Sequence, residues 1–394
     1  MSLRKHRFCG IIVLYGVVFA CAAHADDAIE GVQPAALDQP RIFMCLRRDV
    51  QGKILETKDK DARSGIEAFL DTGASGVVLS SDTCGQLDVV QEKTRDAKAI
   101  EYEDVGVGGS EKFTVSEPLF LALAPYPNGD DPTNYDKPFG PIRAQIRPET
   151  GILAMIAPGM DVAGMPAIAG KVVVIDTKPL ANFDKLHTIV VAPGDRNIPK
   201  TSRHVPLTYV SFARFTKTTP AGATGPNVSA NPMIGPDPFA AKDSHKPIIV
   251  THRGKSASGT FLFDTGAATS MISTKLAQQL GIQIAKEQKF SLPIGGLGGQ
   301  KNASGLFVDR VEIPTRENNR PIVYSKAPLL VCDITVTDAE GKQFTLDGVL
   351  GMNYFVASAE ITGGLLPDIG KIVNGPFRYI VIDHARGELG MEPN

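Results

Sequence analysis

Residues 67–80 read Glu67-Ala-Phe-Leu-Asp71-Thr-Gly-Ala-Ser-Gly-Val-Val-Leu-Ser80, and residues 260–273 read Thr260-Phe-Leu-Phe-Asp264-Thr-Gly-Ala-Ala-Thr-Ser-Met-Ile-Ser273. Both are a short apolar run, then Asp-Thr-Gly-Ala, then a second apolar run. Three further landmarks follow each copy in the same order. A glycine-rich stretch comes first, Val105-Gly-Val-Gly-Gly-Ser110 and Ile294-Gly-Gly-Leu-Gly-Gly-Gln300. An apolar run opened by glycine comes next, Gly151-Ile-Leu-Ala-Met155 and Gly348-Val-Leu-Gly-Met352. A β-rich run closes each half, Lys171-Val-Val-Val-Ile-Asp176 and Arg378-Tyr-Ile-Val-Ile-Asp383. Chance similarity between β-rich segments would not preserve this order, so the chain reads as a duplication.

The local signals agree. Short runs of Val, Ile, Phe and Thr are bounded by Gly, Pro, Asn and Asp, the pattern of strands and turns. The clearest helix is expected over Ser273 to Leu280, with Ser273 as N-cap, Gly281 as the stop, and Leu276, Ala277 and Leu280 on one face. The expected fold is all-β, with two β-barrel-like lobes related by a pseudo-twofold axis and few short helices. The expected division is 1–25 as a signal peptide, 26–185 as the N-terminal lobe and 186–394 as the C-terminal lobe. Within the second lobe, 216–247 is rich in Pro and Gly and reads as a long surface loop.

An apolar strand that ends in Asp-Thr-Gly delivers a carboxylate to the edge of a core. Glycine permits the turn there, and the Thr hydroxyl can bond backbone across a symmetric interface. A pseudo-twofold axis would bring Asp71 and Asp264 together. Two carboxyls at one site cannot both ionise easily, so they share a proton and titrate as a unit. The ionised member can then take a proton from a water held between them while the other supplies one to a carbonyl oxygen. One copy of the motif would be an ordinary turn; two copies in matched contexts are a strong signal.

With these residues in view, the sequence resembles the aspartic peptidases of the pepsin and retropepsin clan, and most closely bacterial retropepsin-like, two-lobed single chains. The resemblance runs from about residue 40 to the C-terminus. It implies an aspartic-type endopeptidase that cuts peptide or protein substrates, with Asp71 and Asp264 catalytic and Thr72, Gly73, Thr265 and Gly266 supporting the loops. It also implies a hydrophobic-hydrophobic-Gly element against each loop, matched by Val349-Leu350-Gly351 and by Ile152-Leu153-Ala154, where Ala replaces Gly. Val107, Gly108 and Gly109, and Leu297, Gly298 and Gly299, resemble the tips of substrate-covering flaps. Tyr102 is a weak match to the flap tyrosine of pepsins. Ala74 and Ala267 stand where pepsins carry Ser or Thr. Each carboxylate thereby lacks a donor that would lower its pKa, so a mildly acidic or near-neutral optimum is expected.

The remaining features narrow the setting. Arg4, Lys5 and Arg7, the apolar run Phe8–Ala23 and Ala23-His-Ala25 form a signal-peptide pattern, which implies export to the periplasm or medium. Lipid anchoring at Cys21 is a secondary reading. Without residues 1–25 the chain has 38 basic and 43 acidic side chains, which gives no reason to expect a nucleic-acid partner. No cysteine or histidine spacing suggests a metal, and the chemistry requires no cofactor. A monomer is expected. Cys45, Cys84 and Cys332 remain, and a Cys45–Cys84 bridge is one option beside free thiols. His204, His245 and His252 read as solvated. A non-catalytic, bilobal peptide-binding protein of the envelope is the alternative function, and a hydrolase of another kind lacks a GxSxG or metal motif to support it.

Overall fold

The computed structural model describes residues 28–58, 65–129, 132–148, 160–219, 222–317, 320–362 and 366–394. The signal-peptide reading of 1–25, Cys21 and Ile152-Leu153-Ala154 lie outside the described residues.

The fold is all-β and bilobal, built on two ten-stranded sheets that repeat one arrangement. In the first lobe, Ile66–Leu70 carries Asp71 at its end and runs parallel to Asp161–Ala163. That strand is antiparallel to Val78–Leu79, which is parallel to Gln145–Ile146. In the second lobe, Phe261–Phe263 carries Asp264 and runs parallel to Gly348–Leu350, next to Met271–Ile272 and then Ile322–Val331. The three residues of Phe261–Phe263 are all buried, and Ile66–Leu70 alternates between core and outside before ending on buried Leu70. Burial of these apolar side chains, at about 1.5–3 kcal/mol each, fixes where the following Asp must emerge.

Register corrects one expectation. The partner of the Asp71 strand is Asp161-Val162-Ala163, followed by Gly164 and Met165, rather than Ile152-Leu153-Ala154. Asp71 N–H donates to Ala163 O at 3.2 Å, as Asp264 N–H donates to Leu350 O at 3.1 Å. Glycine is required after each partner strand, because a Cβ on Gly164 would sit 1.9 Å from Gly76 O and one on Gly351 2.7 Å from Thr269 O. An alanine such as Ala154 could not take that place, so both lobes carry an intact element, Val162-Ala163-Gly164 and Val349-Leu350-Gly351.

A five-stranded sheet joins the lobes, in the order His187–Val191, Val172–Asp176, Phe377–Asp383, Glu388–Pro393, Arg203–Pro206. Val174 and Val381, which are equivalent in the sequence repeat, pair directly with each other. The pseudo-twofold axis therefore passes between them. The second-lobe helix is Thr274–Gln279, with Ser273 as N-cap and Gly281 at φ +73°. Its counterpart Ser81–Leu87 is capped in the same way by Ser80.

Each lobe lends a segment to the other. Ala35–Ala36 pairs with Ser358–Ala359 of the second lobe before the chain enters the first. Conversely, residues 216–247 are not simply a loop. Lys217–Thr219 forms an edge strand on Glu101–Glu103 of the first lobe, and Ser229 N–H donates to Ser75 O at 2.8 Å. The chain then returns to the second lobe as Asn231–Ile234. The Pro and Gly content that suggested a loop instead lets this strap cross between lobes.

Cys45, Cys84 and Cys332 are buried free thiols, so the Cys45–Cys84 bridge is not formed. The three histidines are paired rather than solvated: His204 contacts Glu317 at 2.6 Å, His245 contacts Asp243 at 2.6 Å, and buried His252 contacts Glu287 at 3.0 Å.

Candidate active site

The two Asp-Thr-Gly loops meet at the lobe junction. Thr72 Oγ donates to Phe263 O at 2.7 Å and accepts from Thr265 N–H at 3.0 Å. Thr265 Oγ donates to Leu70 O at 2.6 Å and accepts from Thr72 N–H at 3.0 Å. Both side chains are fully buried, so each hydroxyl satisfies backbone groups that water cannot reach. The four bonds hold the loops in mirrored positions.

Asp71 Oδ1 accepts from the N–H groups of Gly73 at 2.7 Å and Ala74 at 3.1 Å. Asp264 Oδ1 accepts from those of Gly266 at 2.8 Å and Ala267 at 3.1 Å. Each carboxyl lies against the glycine of the opposite loop, close enough for the two groups to act on each other electrostatically. The glycines are needed for this approach more than for a turn, since neither has positive φ. A Cβ on Gly73 would lie 2.5 Å from the Asp264 carboxyl carbon, and one on Gly266 2.3 Å from that of Asp71.

Burial raises both carboxyls above the usual range, and for Asp264 the neighbouring Asp71 charge raises it further. The backbone donors oppose this without cancelling it. Two carboxyls so placed ionise together at a cost, which favours their sharing one proton.

Two carboxamides brace the loops. Asn231 Nδ2 donates to Thr72 O at 2.9 Å and Gly73 O at 3.0 Å, and Gln39 Nε2 donates to Gly266 O. Arg41 pairs with Phe69 and Met233 pairs with Leu262, so Gln39-Pro40 and Asn231-Pro232 occupy equivalent positions. Each carboxamide comes from one lobe and braces the loop of the other. The repeated amide-Pro pair was the available signal.

A cleft of about 460 Å³ opens above the carboxyls. Two hairpins close over it, Glu101–Gly106 with Gly109–Val115 and Phe290–Gly296 with Gly299–Ile313. Their tips meet. Gly108 N–H donates to Leu297 O at 2.9 Å, and Gly298 N–H donates to Glu111 at 3.2 Å. A Cβ on Gly108 would sit 2.3 Å from Gly299 N, so glycine there is set by the contact between tips. Val107 packs on the apolar cluster of the second lobe, and Leu297 packs on Val78, Phe113 and Val162 of the first. The structure thus brings Val107, Gly108 and Gly109 together with Leu297, Gly298 and Gly299 over the cleft. Tyr102 is buried with Ile100 and Val115, away from it.

Among the described residues no group of three or more His, Cys, Asp or Glu side chains is arranged to hold a metal ion.

Behind the first loop lies buried Asp161, which accepts from Ser80 N–H and Thr83 Oγ, both at 2.6 Å. Burial pushes its carboxyl up to about 6 against those bonds and the Arg147 charge. A folded-state pKa above the unfolded value means its stabilising contribution is full below about pH 4 and is lost as pH rises through 6. Asp161→Asn keeps an acceptor for Ser80. It is expected to match the wild type at pH 4 and to exceed it by about 2–3 kcal/mol at pH 8. Urea unfolding at both pH values checks this; a variant destabilised at pH 8 contradicts it.

A bilobal all-β fold with one Asp-Thr-Gly loop from each lobe at its junction is the aspartic-protease fold. Residues 248–354 match the family model described as aspartyl protease. Among solved structures the chain is similar to Basic 7S globulin from soybean, at 10% identity and a TM-score of 0.35, over 90% of this chain and 95% of that one. No curated protein matches the chain.

Proposed function

We propose that the protein is an aspartic endopeptidase in which Asp71 and Asp264 activate one water against a peptide bond. The observation that carries this reading is the convergence of the two carboxyls at the lobe junction, each gripped by its own loop backbone, packed on the other loop's glycine and lining one cleft. The ionised carboxylate removes a proton from water, and the oxygen attacks the peptide carbonyl. The protonated carboxyl donates to the carbonyl oxygen, and the leaving nitrogen takes a proton as the bond breaks. The hairpin tips would cover the bound peptide and exclude bulk water. Thr72, Gly73, Thr265 and Gly266 fix the geometry in which this occurs.

Only the singly protonated pair is active. Below the lower apparent pKa both carboxyls are protonated and no base remains; above the upper one both are ionised and no acid remains. Because burial raises both groups, the active window moves above that of ordinary carboxylates. Incubation with a peptide library, read by mass spectrometry across pH, is expected to show internal cleavage that pepstatin suppresses and that peaks in mildly acidic to neutral buffer. No cleavage at any pH would overturn the reading, and a peak in strong acid would overturn the assigned pH window.

A further inference from the structure

A cleft built on a pseudo-twofold axis offers matched subsites on either side of the scissile bond. Equivalent wall positions can be read from the register. Val78 pairs with Gln145, and its counterpart Met271 pairs with Leu330. One alternation further, Arg147 N–H donates to Leu79 O as Cys332 N–H donates to Ile272 O, both at 2.9 Å. On the hairpins, Asp104 precedes Gly106 by the same step as Ile294 precedes Gly296, and both side chains line the cleft. Asp104, Gln145 and Arg147 therefore line the first-lobe wall, whereas the second-lobe counterpart of Asp104 is Ile294 and those of Gln145 and Arg147 are the buried, apolar Leu330 and Cys332. Related subsites have opposite chemistry.

Resting on the peptidase reading, we propose that the cleft selects peptides with a Lys or Arg side chain on the first-lobe side of the scissile bond and a bulky apolar side chain at the mirror position, Asp104 being the residue that reads the cation.

Asp104 accepts from Val105 N–H at 2.8 Å and from Gln145 Nε2 at 3.1 Å, and no described residue forms an ion pair with it. Arg147 in the same wall is already engaged: it donates to Met160 O and faces the charges of Asp161 and Glu111. A half-buried carboxylate with neutral donors alone is incompletely compensated, and an arriving cation offsets that cost. On the other side, Ile294 packs on an apolar cluster with Leu292, Leu346 and Val349, and Phe212 packs on the same cluster. Phe212 and Phe215 pack with Phe239 and Phe344 at ring separations of 4.7–6.4 Å. A charged side chain would have no partner in that pocket, whereas an aromatic or long aliphatic one would be enclosed.

The test compares fluorescent peptides identical except for Lys or norleucine at the position on the first-lobe side, located from wild-type cleavage profiling. Wild type is expected to prefer Lys. Asp104→Asn, which keeps one acceptor oxygen and removes the charge, and Asp104→Ile, which copies the other lobe, are expected to reduce that preference about ten- to a hundredfold in kcat/KM while norleucine peptides are still cut. Ile294→Asp is expected to create a cation preference on the opposite side. Cleavage without a preference for Lys, or a preference untouched by both Asp104 variants, overturns the proposal and leaves the peptidase reading standing. If profiling finds no cleavage, the peptidase reading fails, and anisotropy of labelled library peptides that differ only in Lys or norleucine, bound to wild type and Asp104→Asn, still decides the subsite. Selective loss of Lys-peptide binding upholds it; equal binding overturns it.

Discussion

Asp264→Asn is expected to lower peptide hydrolysis by about a thousandfold or more while leaving the protein at least as stable as wild type at pH 7. The rate loss follows because an amide can neither share nor relay the proton that the water and carbonyl exchange between Asp71 and Asp264. The retained stability follows from the environment. Asp264 is raised by burial and by the adjacent Asp71 charge. A raised group contributes stability at low pH that is lost as pH rises through its folded-state value, so at pH 7 the acidic pair is a burden on the fold. Asparagine keeps an acceptor for the Gly266 and Ala267 N–H groups and removes the charge conflict. Rate assays with a cleaved library peptide and thermal unfolding check the two halves separately. A variant that hydrolyses at wild-type rate would refute the catalytic role; one that is inactive because it is unfolded would refute the stability argument.

The second large effect belongs to the junction. Thr72→Val preserves shape but removes the hydroxyl that donates to Phe263 O and accepts from Thr265 N–H. Both groups are then buried without partners. At about 1–3 kcal/mol for each unsatisfied group, the expected loss is about 2–6 kcal/mol. Thr72→Ser retains the hydroxyl and is expected to lose far less. Activity should fall with Thr72→Val beyond what unfolding explains, because the loop that carries Asp71 loses its tie to the strand that ends at Asp264. Urea unfolding with parallel hydrolysis assays distinguishes the variants. Equal stability of Thr72→Val and wild type would show that the crossed hydroxyls are not what joins the loops.

Much of this site was legible because it is written twice. Asp71, Thr72 and Gly73 recur as Asp264, Thr265 and Gly266, and the hairpin tips recur as Gly108-Gly109 and Gly298-Gly299. The Ser273 cap and the apolar face of its helix follow from local chemistry alone. What escaped depends on parallel pairing between distant strands. Two candidate runs, Ile152-Leu153-Ala154 and Val162-Ala163-Gly164, were available for the element beside Asp71. Only the close approach of Gly76 O decides for the one with glycine. Gln39 and Asn231 are unremarkable polar residues until the register places them at matching points across the junction. The strap within 216–247 reads as a loop by composition, since its edge strand Lys217–Thr219 gains meaning only from the first-lobe hairpin it joins. Asp104 is informative only by contrast with Ile294, and the wall positions that frame them are paired through strands far apart in sequence.

Asp71 and Asp264 are expected to act as one catalytic unit sharing one proton. Peptide hydrolysis by Asp71→Asn, Asp264→Asn and the double variant, measured beside wild type on one substrate, tests it most directly. Each single substitution is expected to remove nearly all activity, and the double variant is expected to be no slower than either. Independent losses that multiply in the double variant, or a single variant that keeps the wild-type rate, would contradict it.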